Sequence, residues 1–169
     1  MSDLGISKLA IDGGNPVRTT PFPSSLHGIQ EVGQEELAAL TKVIEQKKIF
    51  RFLMSDEESY VSRLEAAYRE FTGANYALAV TGGSTALVCA LVGLGIGTGD
   101  EVIVPGYTYI ATAAAVLTVG AIPIIAEVDD TLTLDPVDFE KKITPLTKAV
   151  IPVHMRGLPS QMDEITSVA

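Results

Sequence analysis

The sequence predicts an α/β fold, a three-layer sandwich with a mostly parallel sheet between two layers of helix. Three observations predict it. Apolar runs over Tyr76–Val80, Glu101–Val104, Ile122–Val128 and Ala149–His154 alternate with helix-length segments, which is the βαβ rhythm of a parallel sheet. These runs are continuous rather than alternating, as strands buried on both faces require. Of the 169 residues, 47% are hydrophobic and 20% charged, which suits one ordinary core-forming domain and excludes a disordered chain.

The elements follow in order. Residues 1–33 read as an irregular arm, with turn signals at Gly13-Gly14-Asn15-Pro16 and Pro21-Phe22-Pro23. Gln34 to Lys48 carries Leu37, Leu40 and Ile44 at helical spacing. Ser55 and Glu58 form a capping box ahead of the stripe Tyr60, Leu64, Tyr68 and Phe71, and Gly73 is placed to stop that helix. After the first strand, Thr81-Gly82-Gly83 is a turn and Ser84 to Leu94 a helix. The second strand stops at Pro105-Gly106, and an Ala-rich helix covers Thr108 to Val119, closed by Gly120. The third strand leads to Asp135-Pro136, an N-cap and a first-turn proline for a short helix to about Ile143. The fourth strand precedes a helix from Met162. That last helix has no C-cap, so we expect a truncated chain or a short product of a longer family, with residues 34–169 as an incomplete large domain.

Net charge is −9, and no basic cluster exceeds Lys47-Lys48 or Lys141-Lys142, which argues against a nucleic-acid partner. No apolar run reaches the roughly 20 residues that span a bilayer, and Met1-Ser2-Asp3-Leu4 lacks the pattern of a secretory signal. One cysteine, Cys89, allows no internal disulfide, and its apolar helix predicts an inert core thiol. A cytoplasmic protein without a membrane partner is expected.

Ligands of open α/β sheets sit beyond the carboxyl ends of the strands. Four segments fall there. Thr81-Gly82-Gly83-Ser84-Thr85 opens a helix, whose free N–H groups and positive dipole attract an anion and whose hydroxyls add donors. The same residues also fit a tight βα turn with a Ser or Thr cap. The pattern is neither G-x-G-x-x-G nor a P-loop, which disfavours a dinucleotide or a nucleoside triphosphate. Pro105-Gly106-Tyr107-Thr108-Tyr109 offers two rings that could stack on a planar cofactor or cover core and surface. Asp129-Asp130 could hold a cation or solvate a loop, and with only His27 and His154 no transition-metal cluster is expected. His154 ends a strand and Arg156 could meet a carboxylate or phosphate, although a His satisfied by backbone groups fits equally.

In order, Gly73-Ala74-Asn75-Tyr76-Ala77-Leu78-Ala79-Val80, Gly82-Gly83-Ser84-Thr85-Ala86-Leu87, Gly99-Asp100-Glu101-Val102-Ile103-Val104-Pro105, Tyr107-Thr108-Tyr109-Ile110-Ala111-Thr112, Pro152-Val153-His154, Gly157 and Met162-Asp163 carry a resemblance from about Ile11 onward. The chain resembles the N-terminal portion of the DegT/StrS-type sugar aminotransferases, which depend on pyridoxal 5′-phosphate (PLP) and have the large domain of fold-type I enzymes. The resemblance implies that Gly83, Ser84 and Thr85 grip the coenzyme phosphate and that Tyr109 stacks on its ring. It leaves His154 and Arg156 in the vicinity of substrate or cofactor, and sets Arg51-Phe52 where the family has a substrate-side loop. It implies a homodimer, a keto-sugar or keto-cyclitol acceptor, and Glu or Gln as donor. The Schiff-base lysine and the acidic partner of the pyridine nitrogen match no residue of this sequence. Lys8, Lys42, Lys47, Lys48, Lys141, Lys142 and Lys148 are not placed for that chemistry, so no catalytic residue is assigned and the fragment is expected to be inactive. The alternative expectation is a non-catalytic phosphate-ligand binding or regulatory protein. A dinucleotide-binding domain is a third.

Overall fold

The computed structural model describes residues 8–21 and 27–169, in two compact units, Met1–Ser59 and Tyr60–Ala169. The Phe22-Pro23 part of the predicted turn lies outside the described residues.

In the first unit, a single helical turn α1 (His27–Gln30) precedes α2 (Gln34–Gln46). Glu36 accepts the N–H of Gly33 at 2.7 Å and so satisfies a donor at the start of α2. That bond holds the Glu36 carboxyl below its ordinary range. Lys47 ends the helix in the left-handed region (φ 55°). The predicted capping box forms: Glu58 N–H donates to Ser55 Oγ and Ser55 N–H to Glu58 Oε2. It closes a turn, and the helix begins only at Tyr60; the Glu58 carboxylate also meets Lys48 Nζ, 2.8 Å away.

The second unit holds the sheet. Its elements are α3 (Tyr60–Thr72), α4 (Gly83–Gly93), β1 (Glu101–Pro105), α5 (Ala111–Thr118), β2 (Ile122–Ala126), α6 (Pro136–Lys142), β3 (Thr147–Val150) and α7 (Met162–Val168). Gly73 ends α3 as predicted, with φ 73° and its N–H on the Arg69 carbonyl. Asp135 caps α6 through a 2.9 Å bond from Val137 N–H, with Pro136 behind it.

One predicted strand is not in the sheet. Tyr76–Val80 has no ladder partner among the described residues, and the Ala79 N–H donates instead to Glu65 Oε1 on α3, at 2.9 Å. Nor is the run buried on both faces, since Tyr76 and Leu78 are exposed; only a neighbouring strand makes an extended run a ladder. Cys89 is also corrected: it is exposed. On α4, Leu91 is buried and Leu87 and Val88 pack beside it, which turns Cys89 and Val92 outward.

The three strands pair in parallel in the order β2-β1-β3, and an isolated antiparallel bridge joins Val128 to Leu134. The central strand feeds two cores. Val102 and Val104 of β1 face Leu91 of α4 and Val116 of α5. Ile103, pointing the other way, meets Leu134, Phe139 of α6 and Ile165 of α7. The period of two thus divides one strand between two helical layers, giving the three-layer sandwich. The path from β1 to β2 runs one way through α5; the path from β2 to β3 returns over β1 through α6. Crossovers of one hand in opposite directions place their helices on opposite faces, as the two cores show. No helix among the described residues is long and apolar enough to cross a membrane.

Candidate functional site

The strand order reverses between β1 and β3, and open α/β sheets bind ligands beyond the carboxyl ends of the strands at such a reversal. The segment after β1 includes Tyr109, and the segment after β3 continues through Ile151, bonded to the Ile103 carbonyl, to His154. Both sequence-predicted residues therefore lie on segments that leave the sheet at this reversal.

Gly106 fixes the start of the first loop. Its N–H donates to the Ala126 carbonyl at 2.8 Å, and a Cβ there would come within 3.3 Å of that oxygen. Thr108 and the buried Thr112 share a hydroxyl hydrogen bond of 2.8 Å, and Thr112 N–H donates to the Tyr109 carbonyl. These bonds pin the turn that carries Tyr109. The Tyr109 ring is 76% exposed and Tyr107 is half exposed, so neither ring fills the core and Tyr109 is open to a planar partner.

The helix α4 begins as the glycine pattern predicts. Gly82 is its N-cap, extended and without a side-chain cap bond, which differs from a Ser or Thr cap. The Gly82 carbonyl accepts from Ala86, but the N–H groups of Gly83, Ser84 and Thr85 have no acceptor among the described residues. The Ser84 and Thr85 hydroxyls are likewise without partners there, and no acidic residue occupies the first turn. Nothing lies within 4 Å of where a Cβ of Gly82 or Gly83 would stand. Three amides, two hydroxyls and a helix dipole, with no competing carboxylate, form a donor set that fits a phosphate monoester.

On the far side, Ser160 N–H donates to His154 Nδ1 at 3.0 Å, and Ser160 Oγ donates to the Val153 carbonyl. Arg156 is exposed and sits in the left-handed region (φ 54°), followed by Gly157 at φ 85°. Asp129 does not stand ready for a cation. Its carboxylate accepts from the Thr131 hydroxyl and N–H and from Gln161 Nε2, and the Thr131 hydroxyl above all holds its pKa below the aspartate range. Lys141 and Lys142 close α6, and Lys148 lies in the amino half of β3, away from the carboxyl ends. Arg51 and Phe52 belong to the first unit, where Phe50 and Phe52 stack at 5.4 Å.

Residues 30–169 match the DegT/DnrJ/EryC1/StrS aminotransferase family. The chain belongs to this family. It is 34% identical to L-glutamine:2-deoxy-scyllo-inosose aminotransferase of Micromonospora echinospora, over 95% of this chain and 38% of that protein. S. venezuelae DesV, solved with a ketimine intermediate, is 42% identical, covers 80% of this chain and 36% of its own, and superposes with a TM-score of 0.68. Spr1654 of Streptococcus pneumoniae, solved in PLP and pyridoxamine phosphate (PMP) forms, is 33% identical with a TM-score of 0.62, over 64% of this chain and 28% of its own. The chain thus spans a little over a third of the curated relatives it matches. The family is one of PLP-dependent aminotransferases, and the mixed α/β fold with its parallel sheet is that of fold-type I aminotransferases. The ordered motifs in the sequence identified family and fold correctly.

Sequence reasoning missed Ser160, Gln161 and Glu65 as partners. Gln161 lies 32 residues from Asp129, and no local pattern joins them.

Proposed function

We propose that this chain supplies the coenzyme-holding part of a PLP-dependent aminotransferase that moves an amino group from Glu or Gln to a keto-cyclitol or keto-sugar. The observation that carries the reading is the unpartnered donor set of Gly83, Ser84 and Thr85 at the start of α4. Those amides and hydroxyls would hold the phosphate, and Tyr109 would cover the ring face. When bound, the coenzyme supplies an electron sink for the carbon that gives up or gains its proton. The acceptor class rests on 2-deoxy-scyllo-inosose, the keto-cyclitol for which the Micromonospora relative is named. Residues 34–169 belong to the coenzyme-binding large domain in this reading, and residues 1–33 to an N-terminal arm. Exposed Leu37, Leu40 and Ile44 on one face of α2 support a homodimer. The unpaired Cys89 thiol suits a cytoplasmic setting.

The test is a fluorescence titration of the 169-residue chain with PMP. We expect one-to-one binding, weakened about tenfold or more in Thr85→Asp. A carboxylate at that position favours the helix dipole and so leaves α4 stable, while it repels the phosphate. Undiminished affinity in this variant overturns the assignment. Inorganic phosphate binding as tightly as PMP points instead to a protein that takes phosphate ligands without a coenzyme role. Because the lysines of the second unit avoid the carboxyl ends of the sheet, borohydride treatment with PLP should leave no stoichiometric adduct at a single lysine by mass spectrometry. Such an adduct would show that the lysine reading is wrong.

A further inference from the structure

The loop after β3 is built around one imidazole. Arg156 takes a left-handed conformation that is unfavourable for a non-glycine residue, and with Gly157 it turns the chain back on itself. The return brings the N–H of Ser160, which is 4% exposed, to His154 Nδ1 at 3.0 Å. The Ser160 hydroxyl ties the same loop to the Val153 carbonyl at 3.1 Å. Next in sequence, Gln161 Nε2 donates to Asp129 Oδ2 at 2.6 Å, joining this loop to the one after β2. Asp129 is in turn oriented by Thr131.

A backbone N–H can only donate, so Nδ1 is an acceptor and the proton of the neutral ring is on Nε2. No described residue hydrogen-bonds Nε2, and His154 is exposed beyond the carboxyl end of β3, where the strand order reverses beside β1. One hydrogen bond, from Ser160 N–H to Nδ1, thus orients the ring, and the loop that supplies it is tied to Val153 and, through the next residue, to Asp129; the ring's remaining nitrogen is a donor.

We propose that the Asp129–Gln161–Ser160 brace fixes His154 as an Nε2–H donor to an oxygen of the coenzyme, on its ring or its phosphate. This rests on the coenzyme reading above. His154 is the binding residue, and Ser160, Gln161 and Asp129 position it.

The test is nitrogen-15 NMR of the 169-residue chain in mildly alkaline buffer. Its only imidazoles are His27 and His154, so a His27→Gln variant assigns the signals. We expect His154 to show a pyridine-type Nδ1 and a pyrrole-type Nε2, and Gln161→Leu to shift both toward a tautomer mixture. A mixture in the parent chain, or no change in Gln161→Leu, overturns the brace. PMP should then move His154 Nε2 together with the Ser84 and Thr85 amides, and inorganic phosphate alone shows whether the phosphate or the ring oxygen is the acceptor. If the Ser84 and Thr85 amides move and His154 does not, this proposal fails and the coenzyme reading stands. If nothing moves, the coenzyme reading fails and takes the His154 ligand with it. His154→Asn retains an oxygen that can accept from Ser160 N–H but loses the outward donor. We expect it to melt like the parent and to bind PMP about tenfold more weakly, the loss of one hydrogen bond. Undiminished affinity in a folded His154→Asn overturns the donor role.

Discussion

Phe139 shows how much one side chain carries in so small a core. It is 2% exposed and packs with Ile103, Leu134 and Ile165, the meeting point of sheet, α6 and α7. Phe139→Ala should cost about 3–5 kcal/mol, the lost burial plus the cavity left behind, read as a lower urea midpoint. Phe139→Leu should recover more than half of that. Asp129 makes a different residue-scale contribution. Its folded pKa is lowered, so the stability it adds is present above its unfolded value of about 3.9 and is lost as pH falls through the lower folded value. Denaturation midpoints measured below pH about 4 should therefore fall more steeply with acid in the parent than in Asp129→Asn. Parallel pH profiles for the two would contradict the Thr131 and Gln161 bonds that lower the pKa.

At the scale of elements, what could be read from the sequence depended on where each element's partners lie. Asp135-Pro136 and Gly73 carry their own instructions, a cap two residues from its target and a glycine that needs φ above zero, and both act as read. Three of the four segments singled out in the sequence follow strands of the sheet, as Pro105-Gly106, Asp129-Asp130 and His154 do, whereas Thr81–Thr85 follows an extended run outside it. Tyr76–Val80 was misread because a strand is defined by a neighbour that its own residues do not name. The Asp129–Gln161 tie was unreadable for the same reason. Glu65 gives this point a measurable form. It is 8% exposed, and its carboxylate accepts the Ala79 N–H that a ladder would otherwise use. Glu65→Ala should cost about 1–3 kcal/mol by leaving that amide without its acceptor, and Glu65→Gln, which keeps a carbonyl oxygen, should cost less than half as much. Equal losses in the two variants would mean that Glu65 acts through something other than this bond.

The second unit as a whole buries its two cores well and leaves its margins open. β1 is enclosed, but β2 and β3 each have an outer edge with no ladder partner among the described residues. Along these margins Ile125 is 62% exposed, and on the extended segment beside α3 Leu78 is 68% exposed. Unpaired edges flanked by exposed apolar side chains are templates for another chain. Opposing this is the net charge of −9, whose self-repulsion weakens once salt shortens the Debye length to about 10 Å at 0.1 M. The two effects predict a salt-dependent equilibrium. In sedimentation velocity the 169-residue chain should shift from smaller to larger species as salt rises at fixed protein concentration. Ile125→Lys, which places a charge on the β2 edge strand, should reverse much of that shift without disturbing Val104 and Ile103 behind it. A single monomeric boundary at every salt concentration, with one sharp melting transition, would mean that these edges are protected in a way their exposure does not reveal.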